Sequence, residues 1–373
     1  MALFKPADGL LRTNVSWDDL QESVFEAFGK DAKFGPNKDA KDIGFANGFM
    51  SKICLVTPDW QTTENSVPEN FVVKADVLEA KILESQVHNN EITLYKLLKK
   101  YNVSNVARPK VYYMREFSEE NTLKGFIIME YLADNLSLHI FDNLTPEDVL
   151  QVLRNIASLE AASLKFNEED KALFITNMFG KMFAKAMTKE NLKSSIDLMR
   201  QAGGDRLKQN VDRLESIVFE IVDMEQADNL PDILGWYKSC MSACEVIINT
   251  FIWASHFGCP TTDLVRLLNS CLSGKDRREN WESLLEKFYS FLKEEVEDNN
   301  KMPYTLEQLK QAYRLFFPLG AFMIVPMIGP LFSLASSSDD VAYKERVRTC
   351  YSLPKVCAYC EECSSKIRKL DSF

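Results

Sequence analysis

The sequence predicts an α+β fold in two parts, an antiparallel-sheet lobe followed by a mostly helical lobe. Three observations carry that prediction. Runs rich in β-branched and aromatic residues, bounded by turn residues, fill the first third of the chain, as in Ile43–Val56, Phe71–Ala75 and Lys124–Tyr131. From Thr145 onward apolar residues recur at helical spacing almost without interruption. The 373 residues hold only 14 glycines and 13 prolines, under the usual share, which disfavours a turn-dense all-β sandwich. The change in character near Tyr131–Asp134 divides the chain into residues 1–131, a sheet lobe with a leading helix, and residues 132–373, the helical lobe.

The elements follow in order. Ser16-Trp-Asp-Asp19 resembles a capping box, and Leu20, Val24, Phe25 and Phe28 continue at helical spacing, so a helix runs to about Gly29. Asp31–Asp42 is polar and turn-rich. Ile43–Val56 reads as strand, Gly-containing turn, strand, and Thr57–Asn70, with Pro58 and Pro68, as a long hairpin loop. Phe71-Val-Val-Lys74-Ala is a short strand, Glu79–Lys100 a helix, and Pro109–Met114 and Lys124–Tyr131 two further strands. Thr145-Pro-Glu-Asp148 opens a helix with proline in its first turn. The spacing then predicts helices over Lys189–Arg200, Arg206–Asp223, Thr262–Leu272, Asn280–Val296, Thr305–Phe317 and Val341–Lys369.

Composition excludes several functions. The 54 acids outnumber the 44 bases, giving a net charge of −10, and such a surface repels phosphate polyanions, so no nucleic-acid partner is expected. The nine cysteines are odd in number, and Met1–Asp8 carries no basic segment leading into an apolar one, which together point to a reducing, cytoplasmic setting. Leu315–Ala335 is free of charge and long enough to mimic a membrane span, but Pro318, Pro326 and Pro330 would break the backbone ladder of a lipid-exposed helix. It is therefore read as buried helix, and no membrane partner is expected. Only His88, His139 and His256 are present, so chemistry that needs clustered histidines has few places to reside.

The order strand, Gly turn, strand, loop, strand with lysine, helix with glutamate, strand pair is that of a protein-kinase-like small lobe. A Gly turn, here Gly44 and Gly48 with Ser51, lets backbone N–H groups approach phosphates. Lys74 would bring positive charge to the α- and β-phosphates, and Glu91 would hold it. Glu130 and Tyr131, at the end of Ile127–Tyr131, would form the hinge whose backbone meets an adenine edge. Each piece has a plainer explanation. Gly44–Ser51 could be an isolated hairpin turn, Lys74 an ordinary edge-strand lysine, and Glu79 or Glu84 stands near enough to rival Glu91. The ordered set is what favours the nucleotide reading, with ATP as the implied cofactor and a small molecule as the implied ligand; no protein partner is indicated.

Longer motifs point the same way. Asp42-Ile-Gly-Phe-Ala-Asn-Gly-Phe-Met-Ser-Lys52, Val56-Thr-Pro-Asp-Trp60, Gly125-Phe-Ile-Ile-Met-Glu-Tyr131 and Asp142-Asn-Leu-Thr145 are joined by His256-Phe-Gly-Cys-Pro-Thr-Thr-Asp263 and Cys271-Leu-Ser-Gly-Lys-Asp-Arg-Arg-Glu-Asn-Trp281. Met302-Pro-Tyr-Thr-Leu-Glu-Gln-Leu309 and Phe316-Phe-Pro-Leu-Gly-Ala321 complete the set. Across nearly its whole length the chain resembles the choline-kinase-like and ecdysteroid-kinase-like small-molecule kinases, in a nematode-expanded branch. The resemblance implies a protein-kinase-like fold and, for the family, ATP-dependent phosphorylation of a small hydroxylated molecule. It also implies two motifs that are missing. The family carries His-Gly-Asp-Leu, with a following Asn, for the base and one Mg²⁺ ligand, and Ile-Asp-Trp for the main Mg²⁺ ligand. No His-x-Asp occurs anywhere in the chain, and Phe251-Ile-Trp253 lacks the aspartate. The interval Leu230–Thr250, where both should lie, is shorter than the family pattern. Either the chain is an inactive paralogue or its transcript omits a catalytic exon; a third reading, of another class, is a binding or scaffold protein that uses the helical lobe alone. On each account the sequence as it stands lacks a catalytic residue set and its Mg²⁺ ligands. His139-Ile-Phe-Asp142-Asn143 stands too close behind the hinge to replace them. Cys357-x-x-Cys360-x-x-Cys363, with Cys350 upstream, has zinc-ligand spacing, but on one helix its outer cysteines lie about 9 Å apart along the axis, so no metal site is expected there.

Overall fold

The computed structural model describes residues 6–44, 51–61, 67–76, 82–133, 142–174, 188–226, 241–245, 252–296, 298, 301–322, 341 and 344–345. Gly48, His139, Cys350 and the Cys357–Cys363 cluster lie outside these residues, as does nearly all of the helix expected over Val341–Lys369. Close contacts group the chain into two compact units. One comprises residues 1–102, 107–136 and 249–255; the other comprises 103–106, 137–248 and 256–373.

The first unit opens with helix α1 (Trp17–Phe28). Its start is set by the capping box that the sequence predicts: Ser16 accepts from the Asp19 amide at 3.2 Å, and the Asp19 carboxylate accepts from the Ser16 amide at 2.8 Å. Strands β1 (Asp39–Asp42), β2 (Ser51–Thr57), β3 (Phe71–Asp76), β4 (Val111–Arg115) and β5 (Phe126–Glu130) form one sheet in the order β1-β2-β3-β5-β4, with all pairs antiparallel. Helix α2 (Ile82–Lys100) lies between β3 and β4 in the chain. The first strand starts earlier than the sequence indicates, within the stretch read as turns. Asp-Ala-Lys-Asp is a charged edge strand, and such strands hide the apolar alternation by which strands are recognised.

Register divides the sheet into two faces. Opposed residues share a face, so Cys54, Val56, Phe71, Val73, Ala75, Phe126 and Ile128 point one way. All are buried, and they pack with Leu20 and Val24 of α1 and with Phe34 into the core of this unit. Burial and the nearby Asp42 carboxylate push the Cys54 thiol up to about 12; burial does the same to Cys259 in the second unit. Neither thiolate forms in native protein at pH 8. Iodoacetamide at that pH is therefore expected to modify both only after unfolding, and mass-spectrometric detection of either adduct on native protein would contradict this packing.

The described residues of the second unit are mostly helical. The elements that follow in the chain are α3 (Pro146–Ser163), α4 (Glu168–Lys171), α5 (Lys189–Gln226), β6 (Met241–Glu245), β7 (Ile252–Phe257), α6 (Thr261–Cys271), α7 (Gly274–Val296) and α8 (Leu306–Phe322), of which Ile252–Ser255 of β7 group with the first unit. Thr145 and Asp148 close a second capping box, with Pro146 at the first helical position, as the sequence predicts. The sequence does not foresee β6, which lies within the interval where the catalytic motifs are missing, or β7, which follows it; the two form a two-stranded sheet. Helix α3 packs on α7, and α6 on α8. The helical run of α5 spans both helices expected on either side of Gly203-Gly204. Arg200 nevertheless binds Asp212 at 3.1 Å and also Glu215. One straight helix would set Arg200 and Glu215 about 22 Å apart, so the run turns back on itself between them. Helix α8 contains Pro318 and covers only the first part of the charge-free stretch; residues 323–335 lie outside the described set. Among the described residues no helix is long and apolar enough to cross a membrane.

Candidate nucleotide site on the sheet face

The other sheet face carries the charge. Lys74 of β3 stands opposite Ile53 of β2 and Ile127 of β5. Val72 stands between Leu55 and Met129. Thus Ile53, Leu55, Val72, Ile127 and Met129 surround one lysine on a single apolar surface. Val72, Ile127 and Met129 are buried, whereas Ile53 and Leu55 are only partly so, leaving the β2 side of this surface accessible. Ser51, paired with Asp76, falls on the same face, two residues beyond Ile53.

Lys74 forms an ion pair with Glu91 of α2. The lysine is 3% exposed and the glutamate fully buried. A charge in such surroundings persists only when paired, so each side chain requires the other. The plainer explanation, a solvated edge lysine, does not hold: β3 is the middle strand of the sheet. Helix α2 sets Glu91 one strand-to-helix step after Lys74, which is the arrangement the element order predicts.

The remaining predicted residues are placed less uniformly. Gly44 follows β1, and its amide donates to the Asp42 carboxylate at 3.0 Å. A Cβ there would lie 2.8 Å from the Ile53 side chain, so packing against β2 already accounts for a glycine. Glu130 ends β5 opposite Phe71, which puts it on the α1 side of the sheet, away from Lys74. Its amide donates to the Lys110 carbonyl at 2.8 Å and its carboxylate accepts from the Lys110 amide at 3.0 Å. These bonds close the β4–β5 end and take the Glu130 amide out of the hinge role that the sequence suggests. Tyr131 follows, partly buried, in non-regular chain. The residues that sequence reasoning missed are the apolar platform itself. Two of them, Ile53 and Leu55, stand in Ile53-Cys-Leu-Val56, an apolar run whose two faces look alike in sequence and are separated only by the register.

Among the described residues no three His, Cys, Asp or Glu side chains come together.

Comparison with known proteins gives the following. The chain is 20% identical over 336 residues to a Caenorhabditis elegans protein named "Uncharacterized oxidoreductase dhs-27"; the match covers 82% of this chain but only 39% of that protein. Among solved structures, a microcompartment-associated aminopropanol kinase is 12% identical, with 95% of this chain and 97% of that one covered and a TM-score of 0.43. A GDP complex of an aminoglycoside 2'-phosphotransferase-IIIa variant is 14% identical, with 93% and 96% covered and a TM-score of 0.44. An aminoglycoside phosphotransferase from Alicyclobacillus acidocaldarius is 10% identical, with 91% and 95% covered and a TM-score of 0.41. The family model DUF1679, described as "Uncharacterized oxidoreductase dhs-27", matches residues 3–81 and 75–359. With nearly the whole chain matched, the protein belongs to the DUF1679 family.

Proposed function

We propose that the chain is a kinase-like protein that binds ATP on the Lys74 face and does not transfer its phosphate. The observation that carries this reading is the buried Lys74–Glu91 pair set in an apolar, partly accessible sheet face. A lysine fixed in this way supplies charge to the α- and β-phosphates without losing rotamer freedom on binding. Ile53 and Leu55 offer apolar surface to a planar base, and the chain beyond Glu130, at Tyr131–Ala133, would offer backbone groups to the adenine edge. ATP thus fits the residues present. Mg²⁺ does not, because the sequence lacks the motif aspartates that would hold it. A general base contributes about 10²–10⁴ in rate, and the metal adds charge neutralisation to that, so their joint loss removes turnover. The quoted motifs support placing the chain beside the choline-kinase-like and ecdysteroid-kinase-like enzymes, as an inactive relative.

The name of the C. elegans relative suggests an oxidoreductase, a statement about a protein of which this chain spans 39%. Dinucleotide sites on doubly wound folds use parallel strands and a G-x-G-x-x-G turn. This sequence contains no G-x-G, and its five-stranded sheet is antiparallel throughout.

Thermal unfolding with added nucleotides tests the proposal. ATP at a hundred times its dissociation constant should stabilise the fold by about 2.7 kcal/mol. Labelled γ-phosphate should not appear on choline, ethanolamine, a sterol or water. Stabilisation by NADH or NADPH but not ATP would overturn the nucleotide assignment, and measurable transfer would overturn the inactivity.

A further inference from the structure

We infer that Asn89, together with Phe117 and Gly125, positions α2 so that Glu91 meets Lys74; the nucleotide reading enters only in the affinity measurement below. Asn89 lies two residues before Glu91, in the same turn of the helix but about 200° around it, so the two side chains leave nearly opposite faces. Its amide makes a two-way clamp with the chain that follows β4: Nδ2 donates to the Phe117 carbonyl at 2.9 Å, and Oδ1 accepts from the Phe117 amide at 3.0 Å. Two other residues of the same helix reach the same segment. His88 Nε2 lies 2.9 Å from the Arg115 carbonyl, to which it donates, and Lys96 binds Glu116 at 2.7 Å.

Phe117 is itself held. Its ring meets the His88 ring edge-on at 5.1 Å. On another side stands Gly125, where a Cβ would come within 2.4 Å of the ring. Gly125 immediately precedes β5, the strand that pairs with β3 beside Lys74. The absence of a side chain at Gly125 thus seats Phe117, Phe117 presents its backbone to Asn89, and Asn89 fixes the turn of α2 that carries Glu91. Helix α2 is then locked in register with the sheet before any ligand arrives. The hydrogen bonds of Asn89 go to the Phe117 backbone, so its role toward the ion pair is positioning.

The test measures reductive dimethylation of Lys74 in the full chain, with Lys310 as internal control. Lys310 is 8% exposed and belongs to the second unit. In Asn89→Ala, Lys74 labelling should accelerate about tenfold while Lys310 is unchanged, the loss of two hydrogen bonds being worth roughly that factor. Gly125→Ala, which displaces the Phe117 ring, should act in the same direction. An unchanged Lys74 rate overturns the inference. Equal acceleration at both lysines also overturns it, because the change would then be general loosening. Affinities add a second measurement: Asn89→Ala should weaken ATP about tenfold and leave adenosine, which has no phosphate for Lys74, unaffected. Equal weakening of both would overturn positioning through Lys74. If wild-type protein binds no ATP, the nucleotide reading fails, and the labelling ratio still decides the clamp.

Discussion

Lys74→Met is expected to destabilise the protein by about 3–5 kcal/mol, and Lys74→Met combined with Glu91→Leu to restore stability to near or above wild type. The reasoning follows from burial. The single change leaves the Glu91 carboxylate fully buried without its counter-charge, and the desolvation of that group is no longer offset. The double change removes both charges and fills the space with apolar atoms beside Val72, Ile127 and Met129. Urea titration of the four members of the cycle gives the coupling energy. A double variant no more stable than Lys74→Met would show that the pair is not coupled as the structure indicates. The same variant separates structure from function. Folded but without the Lys74 charge or its Glu91 partner, the double variant should lose the thermal response to ATP. Retention of that response would move the phosphate contact to another residue.

Much of this site was legible because it depends on order along the chain. A lysine in a short strand, a following helix with a glutamate, then two strands, is a local pattern, and the structure pairs Lys74 with Glu91. The capping residues Ser16, Asp19, Thr145 and Asp148 were legible for the same reason, since each motif closes within four residues. Features that depend on distant pairing were not. Which face Glu130 takes is set by register with Phe71, and one residue of slip would reverse it. The role of β1 was hidden by its charges. The clamp between Asn89 and Phe117 joins residues 28 positions apart, and nothing in either neighbourhood announces it. The strands β6 and β7 lie between the helices expected over Arg206–Asp223 and Thr262–Leu272, in a stretch to which sequence reasoning assigned no element.

Asp19→Ala should cost about 3 kcal/mol, and the loss should depend on pH. Asp19 is one-half of the α1 capping box, and it also anchors α1 to the sheet: Lys124 Nζ lies 2.8 Å from both its oxygens, and Arg115 Nη1 3.2 Å from one. The cap accounts for about 1 kcal/mol and the buried end of the ion network for the remainder, less than for a fully buried pair because Lys124 is partly exposed. Burial pushes the Asp19 carboxyl upward, but hydrogen bonds from Lys124 and Ser16 and the Lys124 charge outweigh it and hold the pKa below its ordinary value of 3.8. A carboxyl whose folded pKa is depressed contributes stability that is fully present above its unfolded pKa. That contribution is lost as pH falls below 3.8 through the folded pKa, because the unfolded chain then takes up the proton first. Asp19→Asn preserves the shape and the bond from the Ser16 amide while removing the charge. The stability gap between wild type and Asp19→Asn, measured by urea unfolding, should therefore be constant from pH 7 to pH 5 and narrow progressively below pH 4. A gap independent of pH would mean that the cap alone, without the charge of Lys124 and Arg115, holds α1 to the sheet.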